Sequence, residues 1–276
     1  GGCPSTVTTT LQIIGQDDPT FSYDSATYCV NDSNPTPTIT TPGGAFSSSA
    51  SLTLNTVTGE ITTSTSSPGT YTVTYTTAGT CTDTSSVEVT IYALDNASFS
   101  YDSSSYCVSD TDPIPSLTAS QTLIGGTFSS TNGLSFTSSA TGIIDLSAST
   151  AGTYTVTFTT AGNCPQSSSV TVTINDLDDA SFSYAKAAYC ENESDPSAVI
   201  TGITSGTFSS LSGLVFTNTS SGTIDLDGST PGTYTVTYTT SGTCTNTSSF
   251  EITINALDNA DFNYDSSTYC VGGTNP

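Results

Sequence analysis

Apolar residues fall at every second position through much of this chain. Tyr71, Val73 and Tyr75 share one face of such a run, with Thr72, Thr74 and Thr76 on the other. After a turn at Ala78-Gly79-Thr80, Val87, Val89 and Ile91 alternate with Glu88 and Thr90. A period of two sends successive side chains to opposite faces, as in antiparallel strands with one face in a core and one in water. Thr, Val, Tyr and Phe fill these runs, and they are residues that pack well on a pleated surface. Turn chemistry separates the runs at Pro42-Gly43-Gly44, Pro68-Gly69, Asn132-Gly133 and Pro231-Gly232. No stretch combines a helical period with caps, so the pattern predicts an all-β chain with about seven short strands per unit.

The unit is visible as a repeat. Cys29, Cys107, Cys190 and Cys270 each follow a tyrosine (Tyr28, Tyr106, Tyr189 and Tyr269), at offsets of 78, 83 and 80 residues. Gly-Thr-Tyr-Thr-Val-Thr starts at Gly69, Gly152 and Gly232, and Gly-Ala/Thr-Phe-Ser-Ser at Gly44, Gly126 and Gly206. A period of about 80 residues is too long for a solenoid turn and suits a small sandwich domain. The boundaries expected are 1–16 for the end of one repeat, 17–94, 95–177 and 178–257 for three whole repeats, and 258–276 for the start of another. Gly1-Gly2-Cys3 accordingly reads as the interior of a repeat.

Composition narrows the setting. Ser and Thr supply 105 of 276 residues, yet the regular apolar alternation is more than a disordered chain requires. One Lys, no Arg, no His and 24 acids give a formal charge of −23, which repels phosphate backbones and anionic lipid heads. Nucleic acid is therefore excluded as a partner. No apolar run approaches the roughly 18 residues that would insert in a membrane. Without His or Arg, Ser–His nucleophilic catalysis and phosphate clamping lack their parts, so no catalytic residues and no enzymatic activity are expected. Carboxylate pairs could in principle serve glycoside hydrolysis, but Asp95, Asp178 and Asp258 recur at turns, where solvation explains them.

The segment Ser229–Val236 resembles the immunoglobulin pattern around the tyrosine corner, where a Gly and a Tyr precede a strand cysteine. Val73, Val156 and Val236 replace that cysteine here. The resemblance implies tandem immunoglobulin-like β-sandwiches without the usual inter-sheet bridge. As a whole, the unit resembles the tandem repeats of giant surface adhesins and filament proteins of gliding Bacteroidota. The residues that carry this are the entry Asp179-Ala180-Ser181-Phe182-Ser183-Tyr184 with its following Tyr-Cys, the Gly-Thr-Phe-Ser-Ser segment and the Gly-Thr-Tyr-Thr-Val-Thr strand. It implies export to the cell surface and a stalk, filament or adhesin role. Its partners would be neighbouring repeats of the same chain, lateral copies or surface glycans.

Calcium is the one cofactor to weigh. Acidic clusters stand at the junctions: Asp17 and Asp18, Asp95 and Asn96, Asp176 with Asp178 and Asp179, and Asp258 and Asn259. The run from Ile91 to Phe99 resembles the cadherin linker, whose acidic residues bind calcium and stiffen the joint. A second set follows each Tyr-Cys: Asp32, then Asp110 and Asp112, then Glu191, Glu193 and Asp195. Hard oxygen ligands suit Ca²⁺, which takes six to eight of them, and solvated acidic turns are the competing reading. Three smaller signals have plain explanations. Lys186 cannot serve a shared isopeptide bond, because its counterparts are Ser25, Ser103 and Ser266. Rows such as Thr70, Thr72, Thr74 and Thr76 would be needed for ice binding, but they also arise on any wet Thr-rich strand. Asp24-Ser25-Ala26 resembles a bacterial O-glycosylation acceptor only across three residues.

Eight cysteines, Cys3, Cys29, Cys81, Cys107, Cys164, Cys190, Cys244 and Cys270, form no C-x-x-C pair. Their even number and recurring spacing suit disulfides in an oxidising compartment. The interval from each late cysteine to the next Tyr-Cys is always 26 residues, while the interval within a repeat is 52, 57 or 54. Three pairings are open. Base rates favour the one within repeats: Cys29–Cys81, Cys107–Cys164 and Cys190–Cys244. A second spans the constant interval in a hairpin about Leu94, aligning Val89 with Phe99 and Val87 with Tyr101. The third staples the early cysteine of one repeat to the late turn of the next, such as Cys29 to Cys164.

Overall fold

The computed structural model describes residues 1–118 and 125–273. In the first sequence repeat the strands are β1 (Phe21–Ser22), β2 (Thr27–Cys29), β3 (Thr38–Ile39), β4 (Ala45–Ser48), β5 (Gly69–Thr76) and β6 (Thr84–Tyr92). The second holds β7 (Ser105–Cys107), β8 (Gly126–Ser130), β9 (Ser135–Ser138), β10 (Ile143–Asp145), β11 (Gly152–Thr160) and β12 (Ser167–Asn175). The third holds β13 (Phe182–Ser183), β14 (Ala188–Cys190), β15 (Val199–Ile200), β16 (Gly206–Ser209), β17 (Val215–Asn218), β18 (Thr223–Asp225), β19 (Gly232–Thr240) and β20 (Thr247–Asn255). Among the described residues the one helical element is a 3₁₀ turn at Thr63–Thr65.

Each repeat builds a four-stranded sheet of the same order: β2-β6-β5-β4, β7-β12-β11-β8 and β14-β20-β19-β16. Its first strand runs parallel to its last, with Cys29 opposite Tyr92, Cys107 opposite Asn175 and Cys190 opposite Asn255. Two-stranded sheets, β1-β3, β9-β10, β13-β15 and β17-β18, complete the sandwiches. By contact density the chain divides into two compact units: residues 1–104, 112–145 and 154–172, and residues 105–111, 146–153 and 173–276.

Period-two alternation becomes burial in these sheets. Tyr71, Val73, Tyr75, Val89 and Ile91 are buried while the residues between them face out. Three sequence segments meet in one aromatic cluster per repeat: the Gly-Ala/Thr-Phe-Ser-Ser phenylalanine, the aromatic just after Gly-Thr-Tyr-Thr-Val-Thr, and the entry phenylalanine. Phe46 lies opposite Tyr75, Phe128 opposite Phe158, and Phe208 opposite Tyr238, with ring centroids 4.5–4.6 Å apart. Phe21, Phe99 and Phe182 of the entry segment meet these rings edge-on at 5.0–5.3 Å. Edge-to-face pairs add about 0.5–1.5 kcal/mol each beyond the area they bury.

Tyr71 donates its hydroxyl to Ser67 O at 2.5 Å and Tyr234 to Thr230 O at 2.6 Å, four residues back, which forms the expected tyrosine corner. On the wet face Thr70 pairs with Thr90, Thr74 with Ser86, Thr157 with Ser169 and Thr233 with Thr253, hydroxyl to hydroxyl at 2.8–3.0 Å. The Thr rows are thus cross-strand ladders that help hold the sheet.

Candidate functional site

The acids and cysteines singled out by the repeat come together at the joints. Strand β6 ends at Tyr92, and Asp95 follows almost at once. Its backbone N–H donates to Cys164 O at 3.0 Å, while its Oδ2 accepts from Thr160 Oγ1 at 2.8 Å and from the Gly162 N–H at 2.9 Å. Asp178 repeats the arrangement. It donates to Cys244 O at 2.8 Å, its Oδ2 accepts from Thr240 Oγ1 at 2.8 Å and Gly242 N–H at 2.9 Å, and its Oδ1 takes the Cys244 N–H at 3.4 Å. Asp17 likewise donates to Cys81 O at 3.0 Å. One aspartate thus plugs a tight turn of the repeat it introduces.

In the sequence Ala78-Gly79-Thr80 reads as a plain turn and the socket is not legible, though Thr-Ala-Gly and Thr-Ser-Gly recur at Thr77, Thr160 and Thr240. The three threonines are buried, and the glycines leave the space that the carboxylate fills. A Cβ on Gly79, Gly162 or Gly242 would stand 2.1–2.5 Å from a carboxylate oxygen of the aspartate. Replacing Asp178 by Ala removes the acceptor of the Gly242 and Cys244 N–H groups and leaves the buried Thr240 hydroxyl to donate only to Asn246 O at 3.3 Å. With charge-assisted hydrogen bonds contributing about 1.5–3 kcal/mol each, urea denaturation should show a loss of about 2–4 kcal/mol. Gly242→Ala should reproduce the loss by expelling the carboxylate, and the double variant should cost less than the two singles together. Additive losses would show that the glycine and the aspartate do not form one socket.

Cys164 and Cys244 sit on these turns, and each is bonded to the Tyr-Cys of the preceding repeat. The disulfides are Cys29–Cys164 and Cys107–Cys244, with Cα–Cα distances of 5.8 and 5.6 Å. Pairing within repeats, the arrangement that base rates favoured, does not occur. Cys29 lies at the Tyr92 end of β6, whereas Cys81 lies beyond the other end of this nine-residue strand. A strand of that length spans about 30 Å, and a disulfide tolerates only about 4.4–6.8 Å between Cα atoms. The hairpin about Leu94 is also overturned, because β6 lies between β5 and β2, Cys81 and Cys190 are free, and Cys107 and Cys164 are bonded elsewhere. The third pairing is the one formed.

Each joint therefore has two covalent connections. One is the backbone from Tyr92 to Asp95, or from Asn175 to Asp178. The other runs from the strand neighbour of that last residue, Cys29 or Cys107, into the turn that the aspartate plugs. The loops they close, 135 and 137 residues apart in sequence, overlap between Cys107 and Cys164.

The remaining acids are distributed as local caps. Asp18 accepts from the Thr20 N–H at 3.0 Å, Asn96 from Ser98, Asp179 from Ser181 and Asn259 from Asp261 at 2.8–2.9 Å. The Thr20 and Ser181 hydrogen bonds hold the Asp18 and Asp179 carboxyls below their ordinary pKa. Asp176 and Asp258 are exposed. In the second set, Asp32, Asp110 and Glu193 each accept the backbone N–H of the cysteine three residues earlier, at 2.7–3.0 Å. Asp195 accepts from the Leu226 N–H at 3.0 Å. Among the described residues no three His, Cys, Asp or Glu gather as a metal site would need.

Lys186 pairs with Glu193 at 2.5 Å and lies 5.4 Å over the Tyr189 ring. Tyr28, buried and donating to Asp24, has its hydroxyl pKa pushed up to about 12, so it remains a donor at neutral pH.

No family model and no curated protein matches the chain. Solved structures that resemble it include mouse cadherin-23 EC22-24 (13 % identity over 87 % of this chain and all of that one, TM-score 0.32). Others are human CDH23 EC21-23 (11 % identity, 83 % of this chain and 98 % of that one, TM-score 0.35) and Drosophila N-cadherin EC1-4 (11 %, 88 % and 76 %, TM-score 0.29). The fold itself, all-β sandwiches in tandem, stands on the sheet order and the aromatic cores described above.

Proposed function

We propose that the chain is a structural segment of an extracellular surface protein, a stalk or filament portion that spaces or displays other domains. The observation that carries this is the joint. Successive repeats are tied by a disulfide as well as by backbone, and a plugged aspartate holds the same turn. Disulfides of this kind persist in oxidising compartments, and a chain under tension gains from a second covalent route. In the first and third repeats most aromatics that an adhesive surface could use are spent in the cores, while Phe262, Tyr264 and Tyr269 near the end of the chain are exposed. The likeness of the entry, Gly-Thr-Phe-Ser-Ser and exit motifs to surface proteins of gliding Bacteroidota supports the same setting.

Single-molecule extension tests the load-bearing role. With the bridges reduced, the backbone from Cys29 to Cys244 should pay out to about 750 Å at full extension. With them intact, the shortest route follows Cys29 to Cys164, back to Cys107 and across to Cys244. That route is about 60 residues, or about 200 Å. An oxidised molecule that extends as far as a reduced one would remove the structural reading.

A further inference from the structure

Cys81 and Cys190 are free and only partly exposed, whereas the bonded Cys164 and Cys244 are 1 % and 2 % exposed. Each free thiol sits in the setting of its bonded counterparts. Cys81 occupies the turn whose carbonyl receives the Asp17 N–H, as those of Cys164 and Cys244 receive Asp95 and Asp178. Its Sγ rests 3.7 Å from Ile14 O, as the Cys244 Sγ rests 4.0 Å from Asn175 O. Asn175 is the residue opposite Cys107, the partner of Cys244, so Ile14 marks the corresponding place beside Cys81. Cys190 closes β14 opposite Asn255 with its N–H held by Glu193, as Cys29 stands opposite Tyr92 with Asp32 and Cys107 opposite Asn175 with Asp110.

We propose that Cys81 and Cys190 are the open halves of the same bridge series, each taking a cysteine of a further repeat of this kind. Cys81 takes a Tyr-Cys cysteine from a repeat packed before Asp17. Cys190 takes a turn cysteine from a repeat packed after Leu257. Each bond forms by exchange with a small-molecule disulfide such as oxidised glutathione. One thiolate displaces a glutathione thiolate, the second attacks the mixed disulfide, and two glutathione thiols leave with no net electron demand.

The constant interval then has a reason. A route entering a turn cysteine by disulfide runs 26 residues to the next Tyr-Cys and leaves by the next disulfide. The segment crossing the joint must keep its length, while loops inside a sandwich are free to vary.

The inference rests on the structural reading above, and its test separates the two. The full chain is compared with a tandem form in which residues 1–257 run directly into residues 17–276. Both are made in an oxidising compartment with oxidised glutathione, alkylated without reduction, and mapped by mass spectrometry. Label here means an alkyl group or a glutathione adduct, either of which marks a cysteine not bonded to another cysteine of the chain, and the single chain should carry it at Cys3, Cys81, Cys190 and Cys270. In the tandem form, Cys190 of the first half and Cys81 of the second should lose their label and appear as one linked peptide pair. If both remain labelled while Cys29–Cys164 and Cys107–Cys244 form in each half, the open-half proposal is overturned and the structural reading survives. A Cys190→Ser tandem should restore the label on Cys81 of the second half; continued protection there would also overturn the proposal. Loss of Cys29–Cys164 and Cys107–Cys244 as well would overturn both.

Discussion

Trypsin should cut this protein once and yet leave it in one piece until a reductant is added. Lys186 is the sole Lys or Arg, so cleavage can only separate residues 1–186 from 187–276. The bond between Cys107 and Cys244 spans that site. With free thiols first alkylated and the chain then denatured, the cut does not depend on access in the folded state. An unreduced gel should show a single species at full mass, and reduction should yield two fragments. Pairing within repeats would leave no bond across Lys186, so two fragments without reductant would contradict the structure. A bond from Cys164 to Cys190 would also retain the pieces, and the Cys190→Ser variant excludes it, since retention should persist there. The overlapping loops extend the argument: at any cut between Cys29 and Cys244 at least one bridge still joins the two sides. A surface fibre exposed to proteases would keep its continuity after a nick.

Removing one bridge should have the largest effect on stability. Cys107→Ser with Cys244→Ser opens a loop of 137 residues that already overlaps another closed loop. Chain entropy then gives a loss of about 4–5 kcal/mol. That is large against the roughly 5–15 kcal/mol that keeps a domain folded. The chain contains no Trp, so urea denaturation is best followed by tyrosine fluorescence. Reducing the native protein should move the midpoint in the same direction and at least as far. Removing both cysteines together avoids leaving a lone thiol at the buried Cys244 turn. A pair variant within about 1 kcal/mol of the native protein would mean that the bridge restrains little of the unfolded chain.

Much of the fold was written in local pattern. Alternation through Tyr71, Val73 and Tyr75 identifies strand and buried face together, because a period of two has no other regular reading. The tyrosine corner followed from Gly-Thr-Tyr at a strand entry, where hydroxyl and acceptor lie four residues apart. The motifs also marked the core, since Phe46 lies in the Gly-Ala-Phe-Ser-Ser segment, Phe21 in the entry segment, and Tyr75 directly after Gly-Thr-Tyr-Thr-Val-Thr. Their meeting in one cluster was not legible, because it requires the order β2-β6-β5-β4.

The cysteines and acids show where sequence runs out. Spacing left three pairings open because loop entropy varies only with the logarithm of loop length. Only the sheet decided among them. Its parallel first strand carries Cys29 to the Tyr92 end of β6, a strand's length from Cys81 and beside the turn that holds Cys164. Spacing likewise leaves the junction acids between cation ligands and solvated turns, because carboxylates near one another in sequence suit both. In the folded chain, Asp95 and Asp178 accept from buried Thr and Gly donors some 60 to 70 residues away, contacts that no local pattern announces. By itself the sequence determined strand, face, repeat and turn, all of which depend on near neighbours. Which cysteine meets which, and what each aspartate holds, depended on contacts that exist only once the sandwiches are built.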